Sequence, residues 1–119
     1  MSEQRELQER TMSFALRVLE VVDSLPKTVK GRNVADQLCR SGTSVAANYR
    51  AAKRAKSPAD FISKMGTVEE EADEVLFWLE LIVRAGMLPA DRLRALMRES
   101  DELIAITVSS IKTAKRTRS

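Results

Sequence analysis

The densest group of chemically capable side chains is acidic. Glu69, Glu70, Glu71, Asp73 and Glu74 stand together, and Glu99 and Glu102 repeat the i, i+3 spacing downstream. Carboxylates so spaced share a helical face and can hold Mg²⁺ through oxygen, as in a magnesium-dependent nucleotide hydrolase that uses Glu71, Glu74, Glu99 and Glu102. Glu70, Asp73, Glu99 and Glu102 project away from the apolar residues of their own helices, which favours a solvated acidic face over a metal centre. The 119-residue chain has no histidine. That removes Ser-His-Asp and Cys-His catalysis, and with them histidine-ligated zinc and di-iron sites. Cys39 is the only cysteine; it excludes an internal disulfide, fits a reducing compartment and, without a base or second thiol nearby, reads as a packing residue. The expectation is a non-enzyme with no catalytic residue, metal, cofactor or small-molecule substrate.

Arg40-Ser41-Gly42-Thr43-Ser44-Val45-Ala46-Ala47-Asn48 is poor helix-forming sequence that a phosphate-cradling loop could use. It has one glycine, no preceding strand and no P-loop lysine, and the apolar stripe runs through it unbroken. Close helix packing is therefore the reading, with Asn48 placed to fix register through its amide.

The cations are more concentrated than the net charge of +3 suggests. Residues 27–57 carry Lys27, Lys30, Arg32, Arg40, Arg50, Lys53, Arg54 and Lys56 against Asp36 alone, whereas residues 58–85 carry seven acidic groups and two basic ones. Arg40, Arg50 and Arg54 fall within an arc of roughly 80° opposite Val34, Leu38 and Val45. Lys53 and Lys56 extend that surface, and Lys112, Lys115, Arg116 and Arg118 form a second basic stretch. Guanidinium forks suit phosphate. With few aromatics to stack bases, the binding expected is to RNA or DNA backbone, salt-sensitive and weakly selective. The competing reading is a solubilising face.

Four amphipathic helices must position these groups. Leu7, Thr11, Phe14, Val18, Val22 and Leu25 mark the first, over about 3–25. Pro26 and Gly31 break the pattern, and Asn33 with Asp36 reads as the cap of a second helix over 34–56. Ser57-Pro58-Ala59-Asp60 caps a third over 58–85, where Gly86 is placed as a C-terminal glycine. Leu88-Pro89-Ala90-Asp91 opens a fourth over 89–114, and the polar tail 112–119 is expected to fray. Short connections force antiparallel neighbours, so residues 1–119 read as a single up-down-up-down four-helix bundle domain. No run of about 18 apolar residues is present, and the opening MSEQRELQER is too polar for a signal peptide; a cytoplasmic protein without membrane contact is expected.

Two helices carry a surplus of apolar residues. Met12, Leu16 and Leu19 on the first lie roughly 120–180° from its core stripe, as do Phe77 and Leu81 on the third, with Trp78 at the flank. Left in water they form a patch of the kind that marks protein–protein contact, and a homo-oligomer is expected from them.

The run LCRSGTSVAANYRAAKRAK (38–56), then SPADFISKMG and EEADEVLFWLELIVRAG, resembles the small bacterial four helix bundle proteins associated with intervening sequences of 23S ribosomal RNA genes. The matching positions are Gln37-Leu38, Arg40-Ser41, Ser44-Val45, Asn48-Tyr49-Arg50, Phe61, Glu71, Glu74 and Trp78-Leu79, within a likeness over about 10–112. One branch, the accessory proteins of diversity-generating retroelements, forms barrel-shaped homopentamers that bind nucleic acid and partner a reverse transcriptase. The resemblance thus implies a pentamer, a nucleic-acid-binding surface and a reverse transcriptase or ribosomal-RNA-linked partner. Many relatives carry Glu where Ala51 stands, so this chain is more basic there. The alternative is a protein-binding scaffold without nucleic-acid activity.

Overall fold

Thr28, Ser57 and Gly86 set three of the helix boundaries. In the computed structural model, which describes residues 3–118, the chain forms α1 (Glu3–Ser24), α2 (Val29–Lys53), α3 (Pro58–Arg84) and α4 (Ala90–Arg118), with no strand among the described residues. Met1, Ser2 and Ser119, the ends of the expected domain and tail, lie outside them.

The second helix begins five residues earlier than the sequence suggested. The Thr28 hydroxyl accepts the Gly31 N–H at 3.1 Å and is the cap, in place of Asn33. Gly31 lies inside the helix because a Cβ there would run into the Pro26 carbonyl oxygen; the glycine permits a tight approach instead of breaking the helix. At the other end α2 stops at Lys53, with the Arg54 N–H turned back to Ala51 and Ala52, so Lys56 stands in the connection. The connection is short because Pro58 biases the residue before it away from helical geometry. Ser57 then accepts the Asp60 N–H at 3.1 Å, as its position implied. Gly86 takes φ 71°, with the Met87 N–H bonded to Ile82 O and its own N–H to Val83 O, a Schellman closure. The stretch expected to fray is the last part of α4, which stays helical to Arg118. No described helix is long and apolar enough to cross a membrane.

Consecutive helices pack antiparallel, α1 on α2, α2 on α3 and α3 on α4, in a molecule 49 Å long and 23 × 22 Å across. The α1–α4 seam is sparse, and α1–α3 and α2–α4 are the diagonals. The apolar stripes of the four helices meet in the core: Phe14 and Val18, Leu38 and Val45, Met65, Val68, Val75 and Leu79, and Leu93 are sealed from solvent. Leu103 joins them. Deleting a Leu or Phe from such a core typically costs about 2–5 kcal/mol. Buried hydroxyls are satisfied, most tellingly that of Ser100, which donates across the bundle to Ala72 O at 2.8 Å.

Candidate nucleic-acid interface

α2 and α4 run the same way through the bundle, so their C-terminal ends share one end of the molecule. That brings together two basic stretches far apart in sequence. Arg50, Lys53, Arg54 and Lys56 surround the end of α2; Lys112, Lys115 and Arg116 lie on the last turns of α4; all seven are exposed. Ala114 and Thr117 share a cleft with Lys53, Lys56 and Ser57, which fixes the two stretches side by side along the axis. They do not form one face, because α2 and α4 are diagonal; the cations ring the end. Among the described residues, Arg50, Arg54, Lys56, Lys112 and Lys115 have no ion-pair partner within the subunit. The Lys53 ammonium donates to Gln8 Oε1. The side chain of Arg118 lies outside the described residues.

Arg40, grouped by the sequence with Arg50 and Arg54, behaves differently. Its Nη1 reaches Glu71 Oε2 at 2.8 Å and its Nη2 pairs with Glu74, so it binds α2 to α3 and its charge is largely spent. A second clamp, missed from sequence, joins α1 to α4: Arg10 grips Glu99 with Nε at 3.1 Å and Nη2 at 2.8 Å, and lies 3.7 Å from Glu102. The Glu99 hydrogen bond raises the Arg10 pKa further above its ordinary value. The signal was present, since Glu99 and Glu102 have the same i, i+3 spacing as Glu71 and Glu74, but nothing in the sequence paired them with a residue 89 positions away. The carboxylates considered for magnesium are therefore divided between two guanidinium groups.

At the same end Asp60 accepts from Lys64 Nζ at 2.6 Å and from the Lys56 N–H at 3.0 Å. The Lys64 bond, then the Lys56 amide, hold its carboxyl below the usual carboxylate range. A cleft of about 580 Å³ opens where α1 and α4 separate, lined by Leu7, Tyr49, Lys53, Phe61 and small α4 residues.

The surplus apolar residues lie where expected. Leu16 is 56% exposed and Phe77 54%, and Met12, Leu19 and Leu81 are also exposed. Trp78 is half-buried against the core, its ring edge-on to Phe77 at 4.9 Å, and its indole N–H is buried without an acceptor among the described residues. The RSGTS stretch lies within α2 as packing. Ser41 and Gly42 are buried, whereas the Asn48 amide donates to Ser44 O of its own helix, so it does not fix register between helices.

A crystal structure of a protein of unknown function from the S23 ribosomal protein family of Bacteroides thetaiotaomicron superimposes with a TM-score of 0.86. It is 32% identical, the match covering 93% of this chain and 99% of that one. No curated protein matches significantly. The family model described as 23S rRNA-intervening sequence protein matches residues 3–109. With that match over nearly the whole bundle, the chain belongs to the 23S rRNA-intervening sequence protein family.

Proposed function

We propose that the chain is a non-enzymatic, cytoplasmic homo-oligomer, pentameric like the relatives it resembles, that binds RNA or DNA backbone through its cationic end. The supporting observation is the gathering of two basic stretches at one end, where Arg50, Arg54, Lys112 and Lys115 form no ion pair with a carboxylate among the described residues. Solvated cations that are not tied to carboxylates are free to displace counterions from phosphate. Association as an accessory of a reverse transcriptase, or of an element linked to ribosomal RNA, is the finer form of the proposal. Two half-exposed apolar side chains, Leu16 and Phe77, support self-association and equally favour the second reading, a scaffold for another protein.

Filter binding to unrelated RNA and DNA sequences at about 50 and 200 mM salt tests this. Affinity should fall steeply with salt, and Arg50→Glu with Arg54→Glu should weaken every sequence alike and reduce the salt slope by about 2. No binding at about 50 mM would refute the nucleic-acid reading and leave the scaffold.

A further inference from the structure

The bulk of the α4 core runs out before the helix does. Its first half sends Leu93, Leu96 and Leu103 into the bundle. Further along, Ala105, Ser109, Ser110, Thr113 and Ala114 are too small to fill the space they face, and α1 meets α4 only along a sparse seam. That leaves the cleft of about 580 Å³, within the range of about 300–1,000 Å³ that takes small organic groups. From Ala105 to Ala114 it follows α4 for about 14 Å at helical rise.

The lining is aromatic on one side and polar on the other. Tyr49 and Phe61, two of the five aromatic residues of the chain, reach the cleft. Tyr49 is buried and Phe61 is packed against the core, so neither ring has much freedom left to lose when something stacks there. On the α4 wall stand the hydroxyls of Ser109, Ser110 and Thr113. Those of Thr107 and Thr117 bond to carbonyls of their own helix. The three in the cleft form no hydrogen bond among the described residues, and each can both donate and accept.

The mouth is cationic. A second cleft, of about 430 Å³, shares Lys53, Phe61 and Ala114 with the first and continues over Lys56 and Ser57. Lys53 keeps its charge, because the Gln8 amide it bonds is neutral. Asp60, the carboxylate beside Phe61, is occupied by Lys64. A purely apolar chain in the cleft would leave the three hydroxyls unmatched. A planar base on a phosphodiester matches all three parts: ring face to aromatic, polar edge to hydroxyls, phosphate to lysines.

We propose that the cleft takes an unpaired base of a nucleic-acid strand whose phosphates run out over Lys53 and Lys56, an inference that rests on the nucleic-acid reading above and names its substrate as single-stranded. Every base has a π-face, so the cleft is sequence-tolerant, as the cationic end is. A duplex keeps its bases stacked inside and offers this end only its backbone.

Filter binding at about 50 mM salt, where phosphate contacts are strong, tests this with three probes of equal length. They are a strand of thymidines, the same strand paired into a blunt duplex, and a strand of abasic sugar phosphates. The thymidine strand should bind about tenfold tighter than the abasic one, the scale of one stacked base. Ser110→Phe fills the cleft without touching a cation. With its helical circular dichroism intact, it should lose that tenfold on the thymidine strand, keep the salt slope, and bind the duplex as wild type does. An abasic strand held as tightly as the thymidines overturns the proposal on wild-type protein alone, and leaves the backbone reading standing. So does a folded Ser110→Phe that spares the thymidine strand, or that weakens strand and duplex alike. Failure of all three probes to bind refutes the nucleic-acid reading itself.

Discussion

Two glycines in helix interiors should respond to alanine with opposite signs. Replacing Gly by Ala inside a helix ordinarily stabilises by about 0.8–1.0 kcal/mol. At Gly66 a Cβ meets nothing within 4 Å, so Gly66→Ala should realise that gain. At Gly42 a Cβ would lie 2.5 Å from Val18 Cγ1, 2.8 Å from Val18 Cβ and 2.9 Å from Val18 Cγ2. No rotamer of Val18 relieves the contact with its own Cβ, so α1 must move away from α2. Overpacking of that kind costs about 1–3 kcal/mol, and the rigid contact puts this case near the upper end. Net of propensity, Gly42→Ala should destabilise by about 2 kcal/mol. At roughly 4 °C per kcal/mol for a chain of this size, its melting temperature should fall by about 8 °C while that of Gly66→Ala rises by about 4 °C. Thermal unfolding at one fixed protein concentration reads both, since assembly makes the midpoint concentration-dependent. Val18→Ala should cost less beside Gly42→Ala than in wild type, with a coupling of at least about 0.5 kcal/mol. A Gly42→Ala protein as stable as Gly66→Ala would refute the close α1–α2 contact.

Arg40→Gln leaves the Glu71 side chain, only 16% exposed, without its cation. The half-exposed guanidinium limits the cost to about 1 kcal/mol, measured by urea unfolding; the salt slope of nucleic-acid binding should not change, and a slope lowered as in Arg50→Glu would contradict the clamp. Asp60 has a depressed carboxyl pKa, so its stabilisation is present above about pH 4, the unfolded value, and disappears as pH falls through the lower folded value. The stability difference between wild type and Asp60→Asn should accordingly be flat above about pH 5 and vanish on acidification; a difference that grows in acid would show the sign to be wrong.

Much of the bundle was legible because its signals are local. The Ser57-Pro58 start, the Gly86 end and the stripes through Phe14, Leu38, Val68 and Leu93 depend on residues within a few turns of one another. The start of α2 was misjudged for a non-local reason. Gly31 looks like a breaker until the Pro26 carbonyl folds back over it, and Thr28 is then the residue left to cap. Asn48 was misjudged because periodicity sets Asn48 and Tyr49 at comparable offsets on either side of the apolar stripe; Tyr49 takes the core and the amide satisfies itself on Ser44. The exposed stripes on α1 and α3 were legible because excess apolar surface can be read without knowing what covers it. The Arg10 clamp was not, because it joins the two ends of the chain across the sparsest seam.

The fate of the basic helix turns on register. Helix α2 carries its arginines at positions 40, 50 and 54, and α3 carries its acidic run at 69–74. The antiparallel pairing of the two helices puts that run level with Arg40, whose guanidinium takes Glu71 and Glu74. Arg50 and Arg54 lie 10 and 14 positions further along, about 15 and 21 Å away at helical rise. At that level α3 offers Asp60, already held by Lys64 and the Lys56 amide. The charge contrast between adjacent segments thus cancels at mid-bundle and persists at the end. Three of the positions that carry the family resemblance, Arg40, Glu71 and Glu74, form the part that cancels. They mark how the bundle is clamped, and the cations that distinguish a binding surface from a clamp are those the register leaves beyond the acidic run.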